Sequence, residues 1–247
     1  MFTTTHYQAA KKSYRLPLIS CLCFLFTCLA LNSQAQTTPT IHFTNVPNVK
    51  MMRANFPTPQ TWFRDLVYIG NIQDTIKLVG IQNDYDSIAN EITYRIDDKE
   101  IQSRYTSNTL EITIDTKRIL PLETVAWSAN KNIRSFYEAY PIFIINRSDS
   151  VAKIGFGSNV KVIAEAMDTD SIWKPIERNY VYRCGTGLVS IYLTQGKMAC
   201  VLFPRYSGSF KTQLRLRIDN SYSQPFTAYI NHSQIIQSKG RRQIHSK

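Results

Sequence analysis

Alternation of polarity at every second residue constrains this chain more than any other feature. In Leu110-Glu111-Ile112-Thr113-Ile114-Asp115 the even positions are apolar and the odd ones polar. Val160, Val162, Ala164 and Ala166 fall on one side of a strand, with Lys161 and Glu165 on the other. Thr212, Leu214, Leu216 and Ile218 alternate with Lys211, Gln213, Arg215 and Arg217. Successive side chains of a strand point to opposite faces, so this pattern marks half-buried β-structure. Further strands are expected at 66–70, 75–81, 91–96, 138–146, 151–156, 179–184, 188–193, 198–203 and 225–231, with an edge strand around Ile41 to Val46. Turn-forming residues separate them: Asn83-Asp84, Asp97-Asp98, Gly157-Ser158-Asn159, Gln195-Gly196, Ser207-Gly208 and Asn220-Ser221. A sustained helical stripe is missing, apart from a turn or two near 126–136. The expected fold is all-β, an antiparallel β-sandwich.

The front of the chain follows another pattern. Lys11, Lys12 and Arg15 precede Leu16 to Leu31, an apolar run without charge. Ser33 and Ala35 then stand where a signal peptidase needs small residues for a cut before Gln36. Residues 1–35 are therefore expected to be a signal peptide. A membrane anchor is the rival, but the run is shorter than the roughly 20 residues a bilayer span needs. A lipoprotein is the third option. Cys21 comes too early for it, and Cys28 follows Thr27 where a small residue is usual. Residues 36–135 are expected to form a lead-in, broken by Pro39, Pro47, Pro57 and Pro59, and a small β-domain. Residues 136–234 would be the main sandwich and 235–247 a basic flexible tail.

Removing the leader changes the charge and the thiols. The net +11 of the whole chain falls to +8 once the three leader cations leave 26 basic against 18 acidic residues. Four of those cations, Lys239, Arg241, Arg242 and Lys247, sit in the tail, where anionic lipid or polysaccharide is a possible contact and a solvated end the plainer one. Nucleic acid is not expected as a partner outside the cytoplasm, nor is a transmembrane span in the mature chain. Cys184 and Cys200 alone remain, as one disulfide or as two buried free thiols. Counting along the strands puts Cys200 opposite Ser190 or Ile191 across Gln195-Gly196, so a bridge would require sheet-to-sheet packing.

The stretch Tyr206-Ser207-Gly208-Ser209-Phe210-Lys211-Thr212 resembles the corner before strand F of immunoglobulin-like domains. Phe210 takes the place of the corner Tyr and Thr212 that of the Cys, so neither the corner hydrogen bond nor the inter-sheet disulfide carries over. The run Tyr140-Pro141-Ile142-Phe143-Ile144-Ile145-Asn146, with Trp173-Lys174-Pro175-Ile176-Glu177, Cys184-Gly185 and Phe210 to Arg217, resembles secreted Bacteroidetes proteins without an assigned function. The resemblance implies export and an immunoglobulin-like sandwich over 136–234. It also gives meaning to four tripeptides of Asp, a hydroxyl residue and an aliphatic one. Thr75, Ser87, Ser150 and Ser171 become possible O-glycosylation sites. Asp and Ser also end turns just before Ile or Val begins a strand, so β-proteins make such tripeptides without modification.

Chemistry is sparse. His42, His232 and His245 have no His or Cys at ligand spacing, so neither a metal nor a cofactor is expected. A Cys–His nucleophilic pair would need Cys184 or Cys200 to meet His232 in space, and buried structural thiols are the plainer reading. Cys184-Gly185-Thr186-Gly187 lies between strands, not at a helix start. Asp168-Thr169-Asp170-Ser171 lacks the glycine and distal glutamate of a calcium loop and reads as a hairpin turn. No catalytic residue is assigned. One ridge stands out: Lys211, Gln213, Arg215 and Arg217 share one strand face and form a possible anionic-ligand surface. Outward cations that guard a sheet against stacking are the ordinary explanation. The expected function is a non-enzymatic, secreted or surface-associated module that binds a protein or glycan of the cell envelope, in the periplasm, at the surface or outside the cell. The alternative is an envelope-acting hydrolase with a site assembled from scattered carboxylates.

Overall fold

In the computed structural model the described residues are 40–62, 64–78, 109–128, 131–178 and 190–236. They contain fifteen strands and one short 3-10 turn. In chain order the strands are β1 (His42–Thr44), β2 (Leu66–Asn71), β3 (Thr75–Lys77), β4 (Leu110–Ile114) and β5 (Leu120–Ser128). Then come β6 (Lys131–Asn146), β7 (Ala152–Phe156), β8 (Asn159–Val160), β9 (Ile163–Met167) and β10 (Trp173–Pro175). The last are β11 (Ser190–Leu193), β12 (Lys197–Pro204), β13 (Phe210–Ile218), β14 (Ser221–Tyr222) and β15 (Phe226–Ile230), before the turn His232–Gln234. The fold is all-β, with several antiparallel sheets.

The central sheet runs β2-β12-β6-β4, with β5 also on β6. A second runs β10-β9-β13, whose far side takes β14 and then β15. A smaller one runs β11-β7-β8. These sheets enclose one apolar interior, in which Ile112, Ile142, Ile144, Val201 and Phe203 of the central sheet meet Ile154, Ile191, Ala164, Leu214 and Leu216 of the others. β13 alternates as its sequence foretells, with Leu214, Leu216 and Ile218 buried and Lys211 and Gln213 exposed.

β6 and β12 follow another rule. From Pro141 to Asn146 and from Met198 to Pro204 every residue is buried, as for strands covered on both faces. Their second face is roofed by the parallel pair β1-β3, where Ile41 and Ile76 pack with Phe143, Ile145, Met198 and Cys200. Leu120, Leu122, Ala139 and Leu202 continue that layer against Phe43, Val67 and Leu78.

This arrangement corrects the expected segmentation. β2, β4 and β5, from the presumed small domain, pair into the same sheet as β12 and β6, and β6 runs through the boundary expected at 135/136. The described residues from Thr40 onward belong to one compact unit. Among the described residues the sandwich is therefore not confined to 136–234, since its central sheet also takes in β2, β4 and β5. The lead-in is part of the core: Ala54 donates to Arg205 O and accepts from Ser207 N, while Met52 exchanges backbone bonds with Phe136 and Glu138. The helical turn expected near 126–136 is instead the β5–β6 hairpin. The strand expected through 160–166 breaks at Lys161-Val162, where Val162 N bonds back to Val160 O. The pairing expected across Gln195-Gly196 is also absent: β11 pairs with β7, and β12 with β2 and β6.

Candidate functional site

The outer face of the β10-β9-β13-β15 sheet gathers the chain's most distinctive surface side chains. Register places Arg215 opposite Glu165 and Arg217 opposite Ile163. Tyr222 lies opposite Arg217, Tyr229 opposite Lys211 and Thr227 opposite Gln213. On the other flank Trp173 pairs with Met167 and Pro175 with Glu165. Residues directly opposite in a ladder share a face, so all of these look away from the core.

Glu165 organises the centre. Arg215 Nε and Nη2 reach its Oε2 at 2.8 and 2.7 Å, and Arg217 Nε reaches Oε1 at 2.8 Å. The Arg215 guanidinium also stands 4.4 Å from the Trp173 ring centre and 4.3 Å from that of Tyr222. Such cation–π contacts are worth about 0.5–2 kcal/mol each. Gln213 Nε2 donates to Thr227 Oγ1 at 2.9 Å. The four expected ridge residues do share one face, but not one state. Lys211 and Gln213 are exposed, while Arg215 and Arg217 divide one carboxylate. Sequence reasoning missed Glu165, Trp173 and Tyr222 as partners of the ridge. Glu165 is legible as an outward acid, but its meeting with β13 depends on register set 50 residues away.

The Asp168–Ile172 turn closes the β9–β10 hairpin, with Ser171 N donating to Asp168 O at 2.9 Å. Lys174 Nζ donates to Asp168 Oδ2 at 2.6 Å and to Asp170 Oδ2 at 2.8 Å. The ammonium thus stands between the two carboxylates that a calcium ion would have used. The hydrogen bond from Lys174 holds Asp170 below the ordinary carboxylate range. Bonds to Asp168 and then Asp170 raise Lys174. His232 Nε2 lies 2.9 Å from Asp168 Oδ1, with its ring edge-on to Phe210 at 4.8 Å. Among the described residues no group of three or more His, Cys, Asp or Glu side chains is placed to hold a metal ion.

A buried ion pair ties the lead-in to the far end of the sandwich. Arg64 Nη2 donates to both Glu177 oxygens at 2.5 and 2.7 Å, and Tyr206 Oη donates to Oε1 at 2.5 Å. The guanidinium lies 5.2 Å from the Phe203 ring centre. Burial first, and then the Glu177 charge, push the Tyr206 hydroxyl well up. Tyr206 opens the passage from β12 into the other sheet, so here a tyrosine four residues before Phe210 anchors the corner, through a carboxylate. Gly208 is required nearby, since an added Cβ would lie 2.1 Å from the Ile230 carbonyl carbon.

Cys200 is a buried free thiol whose pKa is raised by burial. Its neighbours across the ladder are Tyr68 and Phe143. Cys184, its expected partner, lies outside the described residues, as do Ser87, the leader and the basic tail from 237. Thr75 stands exposed on β3, with its hydroxyl donating to Asp74 Oδ1 at 3.1 Å. Ser150 is exposed in the β6–β7 turn, and Ser171 in the β9–β10 turn at φ 60. Among the described residues no helix is long and apolar enough to cross a membrane. Searches with this chain against protein-family models, curated proteins and solved structures find no match.

Proposed function

We propose that this is an exported, envelope-associated binding module whose contact surface is the outer face of the β10-β9-β13-β15 sheet. The observation that carries the reading is the arrangement of Arg215 between Trp173 and Tyr222 with Glu165 bracing it. A long arginine side chain held by two rings and a carboxylate has lost its rotamer freedom before any partner arrives, and preorganised contacts of this kind bind without that cost. Trp, Tyr and Arg are also the residues that dominate contact energies at interfaces. Buried carboxylates elsewhere face cations in close pairs, Glu177 with Arg64 and Asp168 with Lys174, which suits a scaffold better than an acid–base site.

The test has two parts. Fractionation of the source cells should place the chain in the periplasm, at the surface or outside, with mass spectrometry reading the mature N-terminus and any glycan on Thr75, Ser87, Ser150 or Ser171. Immobilised protein should retain envelope material, and Trp173→Ala and Arg215→Ala should release it. Recovery from the cytoplasm, or hydrolysis of envelope carbohydrate or peptide indifferent to both substitutions, would overturn the reading.

A further inference from the structure

The outer sheet face differs from a protein-docking surface in where its charge lies. Protein interfaces deplete carboxylates at the desolvated centre, although arginine is enriched there. Here the centre is the Glu165–Arg215–Arg217 trio, while Trp173, Tyr222 and Tyr229 flank it. A protein partner would have to strip water from that trio. A flexible, hydrated, anionic chain would not.

The donors still open on this face point the same way. Arg215 spends Nε and Nη2 on Glu165, and Arg217 spends Nε on Glu165 and Nη1 on Asp219 O. Arg215 Nη1 and Arg217 Nη2 have no hydrogen-bond partner among the described residues, nor does the exposed Lys211 ammonium. Against one carboxylate, these three cations leave the face positive. Lys211, Arg215 and Arg217 lie along one strand, at spacings of about 13 Å and about 7 Å from the strand rise. Exposed ring surface at Tyr222 and Tyr229, 39% and 51% exposed, gives flat apolar platforms beside them.

Resting on the binding reading above, we infer that the ligand of this face is a carboxylate-bearing linear polysaccharide laid along β13. Its carboxylates meet Arg215, Arg217 and Lys211 through charge-assisted hydrogen bonds, and its sugar faces lie on the flanking rings.

The experiment titrates the purified chain with polygalacturonate oligomers, with the same oligomers methyl-esterified, and with polyglutamate of matched charge, by calorimetry at low and high salt. Polygalacturonate should bind and weaken several-fold as salt rises, and the esterified form should fall at least ten-fold short. Arg215→Ala and Trp173→Ala should each weaken binding at least ten-fold. Lys211→Ala, an exposed change that leaves the core untouched, should weaken it two- to five-fold, and Lys153→Ala on β7 should not alter it. Equal binding of the esterified polymer, or a Lys211→Ala protein that binds like the parent, overturns the inference. Polyglutamate binding as tightly as polygalacturonate also overturns it and makes an acidic polypeptide the occupant. If polygalacturonate fails while envelope extract is still held in a Trp173- and Arg215-dependent way, only the ligand class is wrong. If the extract also ignores both residues, the binding reading falls with it.

Discussion

The two outer faces of the sandwich have opposite fates. Behind β6 and β12 the outward side chains are Phe143, Ile145, Met198 and Cys200, and the β1-β3 pair lies over them through Ile41 and Ile76. On β13 the outward side chains are Lys211, Gln213, Arg215 and Arg217, and nothing described covers them but each other and their ring and carboxylate neighbours. The same backbone geometry serves both. What differs is whether the second face must be dry, and the sequence records that difference as a continuous apolar run in one case and as alternation in the other.

The comparison breaks most easily at the roofed face. Phe143→Ala should cost about 3–5 kcal/mol by chemical denaturation, because a cavity opens in a layer that cannot collapse. Gln213→Ala on the open face should stay within about 0.5 kcal/mol. Near-equal losses would mean that the roof adds little. Next in size is the pair that fastens the lead-in. Arg64→Met leaves the buried Glu177 charge without a cation, with only the Tyr206 hydroxyl still bonded to it. It should cost about 3–5 kcal/mol, whereas a double replacement of Arg64 and Glu177 by Met should recover much of that loss. A double variant as unstable as the single one would show that the packing of the guanidinium, not its charge, matters.

Cys200 reports on the roof directly. Buried and raised in pKa, it should resist iodoacetamide in the native protein and react on unfolding, as mass spectrometry would show. Ile76→Ala should speed native labelling through local opening. Rapid labelling of the parent chain would contradict the roof. On the open side, Arg215→Ala should lower stability by about 1–3 kcal/mol, since a partly exposed ion pair and two ring contacts are lost without a cavity.

The smallest effect concerns the β9–β10 turn. Asp170 is held below its ordinary range, so its contribution is present above the usual Asp pKa and fades as pH falls through the lowered one. Lys174 is raised, so its contribution is present below the usual Lys pKa and fades as pH climbs through the raised one. The stability gap between parent and Asp170→Asn should therefore narrow on acidification. A gap that holds constant from neutral to strongly acid pH would show that Asp170 does not act through its charge.

Much of the candidate face was readable before any coordinates. Alternation alone places Lys211, Gln213, Arg215 and Arg217 on one side of one strand, and β4 and β13 match their expected bounds closely. The partners were not readable. Glu165 sits 50 residues from Arg215 and Glu177 sits 113 from Arg64, and no local pattern states which strand lies beside which. Residues 126–136, which hold the end of β5 and the start of β6, fit a turn or two in the sequence for a related reason. Polar residues such as Asn132, Arg134 and Ser135 fit a two-stranded ribbon as readily as a loop, and only pairing tells them apart.

Polarity alternation is a property of each segment taken singly. It follows from side chains facing opposite ways along a strand, and so the amino-acid order alone determined the all-β class, most strand positions and the outward row of β13. Strand neighbours, the roof over β6 and β12 and the bracing of Arg215 were decided only by the tertiary structure. An apolar face is satisfied by any matching apolar face, and the choice among them is made by how all the faces pack at once.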